Sequence, residues 1–361
     1  MKRLLAWSSI ENIGLIFAGI GLALTFRAYG MGSLAALALT ATLYHALNHG
    51  FFKSLLFLAT GSVLHATRER SLGKLGGLIH RMPWVAWLAL VGTLAIAGVP
   101  PLNGFVSEWL LLQAFLFTPG LPQNYLNMFI PVATALVVLV AALAAYVMVK
   151  FYGVVFLGRP REESLADAHD AGPWERAGLA WLALGCVVLG LAPVAVIHLI
   201  GRVTQQLTGQ TLGNASDWLF LVPIEAQRSS YSPVLFLAVV TLVVLATWFL
   251  VRQCFHRRLR RGPAWDCGFP AQTARMQDTA EGFGQPVRVV FEPFFRIQRE
   301  LPSPGDRTPR YRVTVDDKLW HWLYLPLAQA GELASRLVSR LQQGRISVYL
   351  LYSFVTLILL L

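Results

Sequence analysis

A chain of 361 residues that is 55% hydrophobic and only 14% charged falls well short of the roughly 25% charged content of soluble domains, which argues against a single water-soluble core. The formal charge of +11 could suggest nucleic acid. However, most Lys and Arg lie in short stretches between apolar runs or within 252–345, as loops beside a lipid surface would, and no nucleic-acid partner is expected.

Eight apolar segments follow in chain order: 7–26, 33–65, 84–99, 102–118, 128–157, 177–200, 234–251 and 346–361. Each is expected to be helical, because hydrocarbon offers the backbone no partner outside its own segment, and about 20 residues cross roughly 30 Å. Met1-Lys2-Arg3 ahead of the first segment superficially resembles a signal peptide, but Glu11 and Asn12 interrupt the run and no small-residue cleavage site follows. The third and fourth segments are short and flank Val99-Pro100-Pro101. A proline pair should break a helix there, since proline lacks the amide donor and disfavours helical geometry in the residue before it.

Basic residues flank both sides of the spans, and the side carrying Arg159, Arg161 and the basic cluster of 252–261 is taken as cytoplasmic. Residues 252–345 are too polar to span. Within them, 315–341 carries Leu319, Trp320, Trp322, Leu323, Leu327, Leu333, Leu337 and Leu341 at spacings that suit an amphipathic helix, lying either on the membrane surface or against neighbouring subunits. The expected fold is all-α: a polytopic transmembrane helix bundle of about eight spans, one broken by prolines, with a C-terminal amphipathic helix and a final span.

The strongest chemical signal is the triplet His45, His49 and Lys53, spaced i, i+4, i+8, which stacks all three on one helix face. A Lys at the centre of a membrane helix costs about 2.5–3.5 kcal/mol, so such a stripe should face the bundle interior or water. Imidazole titrates near neutral pH and burial moves a lysine towards it, so the stripe reads as a proton relay. Two other readings stay open. Lys53 could snorkel from a helix end above hydrogen-bonded histidines, although residues 55–63 continue the apolar run. His45 and His49 could ligate a haem or metal, although one helix offers a poor ligand set.

Glu108 follows the proline break and precedes an uncharged apolar run, where a broken helix can hydrate or coordinate an ion; an interfacial position is the plainer alternative. Glu11 is a further relay candidate that interfacial capping explains as well, and Lys150, ending the fifth segment, suits snorkelling. Cys186, Cys254 and Cys267 show neither a disulfide framework nor cluster-ligand spacing, and Trp265-Asp266-Cys267-Gly268 reads as a docking loop. No metal and no redox cofactor is expected in this chain.

These residues resemble a known family, the antiporter-like membrane subunits shared by complex I, multisubunit cation/proton antiporters and group 4 hydrogenases. The resemblance lies in Lys2-Arg3-Leu4-Leu5-Ala6-Trp7-Ser8-Ser9-Ile10, in His49-Gly50-Phe51-Phe52-Lys53-Ser54-Leu55-Leu56-Phe57, and in Gly98-Val99-Pro100-Pro101 running to Glu108. Ala264-Trp265-Asp266-Cys267-Gly268-Phe269 and the tail Gly344-Arg345-Ile346-Ser347-Val348-Tyr349-Leu350-Leu351-Tyr352 are similar to the hydrogenase 4 and formate hydrogenlyase branch.

The resemblance implies that Lys53 is the central channel lysine, His49 the histidine one turn before it, and Glu108 the terminal acidic or basic residue of the broken helix. It also implies that 1–160 is the second half of a proton-translocation domain, followed by additional helices (161–251), a polar cytoplasmic segment (252–345) and a last span (346–361). The family's first inverted repeat has no counterpart here, and Met1 falls where the second begins, so a truncated or split reading frame is expected. The implied function is a non-catalytic subunit of a hydrogenase or complex I-like oxidoreductase in the cell inner membrane. It would contact lipid and other membrane and peripheral subunits, and move H⁺, or alternatively Na⁺, along His45, His49, Lys53 and Glu108. A non-conducting anchor and a cation/proton antiporter component are the competing expectations.

Overall fold

The computed structural model describes residues 1–116, 121–212, 219–223, 230–255, 262, 265, 267–269, 272–339, 342 and 344–360. They fall into two compact units, Met1–Phe283 and Gly284–Leu361.

The first unit begins with α1 (Lys2–Ala28) and α2 (Gly32–Thr67). At 36 residues α2 is about 54 Å long, and it ends at Arg68, which adopts left-handed geometry (φ 55°) and returns its amide to the Leu64 carbonyl. Next come α3 (Pro83–Ile96) and α4 (Asn103–Leu116). The first turn of α3 is capped from a distance: the Asp170 carboxylate accepts from the Trp84 amide at 2.8 Å and the Val85 amide at 3.3 Å, satisfying donors that the helix itself cannot. The expected break is present, because Pro100 and Pro101 fall between the two helices and supply no amide hydrogens. Each half has 14 residues, about 21 Å, which is short of the hydrocarbon thickness.

After α5 (Asn124–Phe156), the segment expected as one helix over 177–200 is two: α6 (Pro173–Leu191) and α7 (Pro193–Thr208). The reason is Pro193, which cannot donate to the carbonyl four residues back and pushes Ala192 out of helical geometry (φ −120°, ψ 51°). The last long helix of this unit is α8 (Pro233–Cys254). Among the described residues, α1, α5, α6 and α8 are long and apolar enough to cross a membrane, and the apolar stretch of α8 has no buried side chain.

Two hydrophobic clusters fill this unit. One contains Phe52, Leu55 and Leu56 of α2 with residues of α3, α5 and α6. The other contains Ala35, Leu37 and Tyr44 of α2 with Phe26 of α1 and Leu110 of α4. Along α2 the polar positions 45, 48 and 49 therefore fall between the end of one cluster and the start of the other.

Helix α9 (Ala280–Val290) straddles the unit boundary. The second unit adds a hairpin absent from the sequence reading, β1 (Phe295–Glu300) paired antiparallel with β2 (Arg312–Asp317) in the register Phe295↔Asp317 to Glu300↔Arg312. The amphipathic helix expected over 315–341 starts later, because 315–317 belong to β2. The Asp317 carboxylate accepts from the amides of Leu319 (2.9 Å) and Trp320 (3.2 Å), capping a π-helical turn, Trp320–Tyr324, that leads into α10 (Leu325–Ser339). Leu341 lies outside the described residues, as do Asp266 of the expected docking loop, most of the basic cluster of 252–261, and Leu361. The chain closes with α11 (Ile346–Leu360).

Candidate functional site

The site is built on the middle of α2. His45, His49 and Lys53 occupy successive turns, and the structure places Lys53 fourteen residues (67 − 53) before the end of the helix, about 21 Å. Lys53 is only 5% exposed and its ammonium donates to the Leu5 carbonyl of α1 at 3.1 Å. A snorkelling lysine would sit at a helix end with its ammonium in water, so that reading does not fit this geometry.

His45 is 1% exposed, and its Nδ1 lies 3.0 Å from Ser107 Oγ on α4. The Ser107 hydroxyl also lies 3.0 Å from the Gly104 carbonyl. If the hydroxyl donates to that carbonyl, its oxygen accepts the Nδ1 proton of a neutral His45, and Nε2 is left as the free base. The Nε2 atoms of both His45 and His49 are buried without a hydrogen-bond partner among the described residues. Phe52, itself a member of the first apolar cluster, stands edge-on to both rings, at 6.3 Å from His45 and 5.6 Å from His49.

The carboxylates complete the group. Glu11, half-buried on α1, is within electrostatic reach of Lys53 and of Glu108. Glu108 sits in α4 with its carboxylate against the helix break, where a Cβ added to Gly98 would stand 2.7 Å from Glu108 Oε2. The five titratable residues nominated by the sequence lie on α1, α2 and α4, with Glu11 within electrostatic reach of Lys53.

Three site residues escaped the sequence reading. Asn48, fully buried, donates through Nδ2 to the Asn103 carbonyl at 2.8 Å, and Asn103 Nδ2 approaches the Asn48 carbonyl at 3.5 Å, so α2 and the first residue of α4 are tied reciprocally. Ser107 adds the third tie, through His45. The Oδ1 atoms of Asn48 and Asn103 are likewise buried without partners. A signal was available for Asn48, which lies three residues after His45 and shares its face of the helix; nothing in the local sequence pairs it with Asn103.

Buried acceptors without partners are costly in a dry interior and are satisfied when a proton or water reaches them. The arrangement is suited to passing protons along α2 towards α4. Among the described residues, no group of three or more His, Cys, Asp or Glu side chains converges as a metal site.

Residues 1–121 match the family described as NADH:quinone oxidoreductase/Mrp antiporter, TM, a region that holds α1 to α4 and with them Glu11, His45, His49, Lys53 and Glu108. Over 370 aligned residues the chain is 30% identical to hydrogenase-4 component B of Escherichia coli (strain K12), covering 100% of this chain and 55% of that protein. It is 33% identical to formate hydrogenlyase subunit 3 of the same organism, covering 94% of this chain and 53% of that protein. The chain therefore spans about half the length of the curated relatives it matches. The fold is similar to a chain of the membrane-bound sulfane sulfur reductase, an archaeal respiratory membrane complex, with a TM-score of 0.59 and 22% identity over 98% of this chain and 55% of that one. The chain is an integral membrane protein similar over nearly its whole length to hydrogenase-4 component B and formate hydrogenlyase subunit 3, and its residues 1–121 match the NADH:quinone oxidoreductase/Mrp antiporter transmembrane family.

Proposed function

We propose that this chain is a proton-conducting membrane subunit of a hydrogenase-like or complex I-like assembly in the cell inner membrane, and that redox chemistry in partner subunits drives its protonation changes. His45, His49 and Lys53 form the relay along α2, Glu108 is the acceptor at the helix break, and Glu11 modulates Lys53. The observation that carries this reading is the pair of buried imidazole nitrogens, without hydrogen-bond partners among the described residues, on the same helix as a buried ammonium in mid-helix. Ionisable groups are expensive in a membrane interior and mark transport paths when they occur there. A passive anchor gains nothing from three of them on one stripe.

The test is proton translocation by the assembled complex reconstituted into vesicles containing a pH-sensitive dye, with and without an opposing Na⁺ gradient. Lys53→Ala should abolish acidification while the complex assembles at wild-type yield. Unchanged acidification at equal yield would favour the anchor. Dependence of the signal on the Na⁺ gradient would favour cation/proton exchange.

A further inference from the structure

The Leu189 carbonyl near the end of α6 has no helical donor, because the residue four positions on is Pro193. The Tyr44 hydroxyl donates to it from α2, inside the second apolar cluster, where Tyr44 is fully buried. One residue further along α6, a Cβ on Gly190 would run into the Pro101 carbonyl and the backbone of Leu102, so only glycine lets α6 pass the α3–α4 break this closely. The two proline breaks of the first unit therefore touch, and a side chain of the relay helix holds the carbonyl that one of them frees.

Tyr44 immediately precedes His45 and lies one turn before Asn48. Fixing its hydroxyl on α6 sets the rotation of α2 about its own axis. That rotation decides whether His45 Nδ1 meets Ser107 and whether Asn48 reaches the Asn103 carbonyl, contacts of 3.0 and 2.8 Å that tolerate little displacement. We propose that the α6–α7 break is a second working element of the pathway, and that Tyr44, by capping the carbonyl freed by Pro193, is the positioning residue that aims the relay helix at the α3–α4 break. This inference rests on the proton-relay reading given above.

The test is a double-mutant cycle on translocation in the assembled complex. Tyr44→Phe removes only the hydroxyl, whereas Pro193→Ala returns a backbone amide that can satisfy the Leu189 carbonyl. Tyr44→Phe alone should lower the translocation rate three- to tenfold and displace its pH profile, because His45 loses its fixed partner. In the Pro193→Ala background the same change should alter the rate less than twofold. If Tyr44→Phe reduces complex yield, the same comparison is read in yield. An equal loss in both backgrounds, or a wild-type rate and pH profile in Tyr44→Phe, overturns the proposal. Lys53→Ala measured alongside separates the two claims: wild-type translocation in it sinks the relay itself, whereas a dead Lys53→Ala with a normal Tyr44→Phe sinks only the role of Tyr44.

Discussion

Replacing Lys53 with methionine separates its charge from its volume. Lys53 is 5% exposed, so its four-carbon stem is buried, and its ammonium donates to the Leu5 carbonyl at 3.1 Å. Methionine keeps the unbranched apolar volume, a swap that typically costs below about 1.5 kcal/mol in a core. It also removes a charge that costs about 2.5–3.5 kcal/mol at membrane depth. The Leu5 carbonyl keeps the Ser9 hydroxyl at 3.0 Å, so losing the ammonium strands no acceptor, and the lost hydrogen bond is worth about 1 kcal/mol. The terms sum to a complex between as stable as wild type and about 2.5 kcal/mol more stable. Translocation should nevertheless fall at least tenfold, about 1.4 kcal/mol or more added to the barrier. Thermal unfolding of the purified complex and dye-reported acidification of vesicles measure the two axes independently. A variant that is clearly less stable, or one that translocates within about twofold of wild type at matched yield, would refute the reasoning.

Glu108→Gln should impair translocation more than Glu11→Gln at matched protein levels, because Glu108 lies against the α3–α4 break whereas Glu11 acts on Lys53 only electrostatically. Glu108→Asp should retain part of the rate, and equal translocation in wild type and Glu108→Gln would remove this carboxylate from the path. At the end of α5, Gln277 accepts from the Arg159 amide at 2.9 Å and donates to the Arg159 carbonyl at 2.9 Å and the Ala274 carbonyl at 2.8 Å, clamping the segment that follows residue 271. Gln277→Ala should loosen that segment by about 1 kcal/mol, seen as roughly fivefold faster amide exchange over 272–279 with the rest of the unit unchanged; unaltered exchange would show that the clamp carries no local stability.

What the residues determined on their own was the membrane, the helices and the nominees for the relay. Apolar runs long enough for hydrocarbon leave the backbone no conformation but helix, and His45, His49 and Lys53 share a face through helical periodicity alone. Pro100–Pro101 announced the α3–α4 break for a reason just as local, whereas the α6–α7 break at Pro193, which obeys the same rule, was missed because the apolar run continues across it.

Tertiary structure decided everything that depends on two segments distant in the chain meeting. The Asn48–Asn103 tie, the Ser107 partner of His45, the Leu5 carbonyl under Lys53, the Asp170 cap of α3 and the Tyr44 bond to Leu189 each join residues from about 50 to 145 positions apart. Periodicity orients a side chain about its own helix axis. Only the packing of one helix against another fixes what that side chain faces, and here close approaches at Gly98, Gly104 and Gly190 set that packing by letting backbone and carboxylate occupy the space a Cβ would fill.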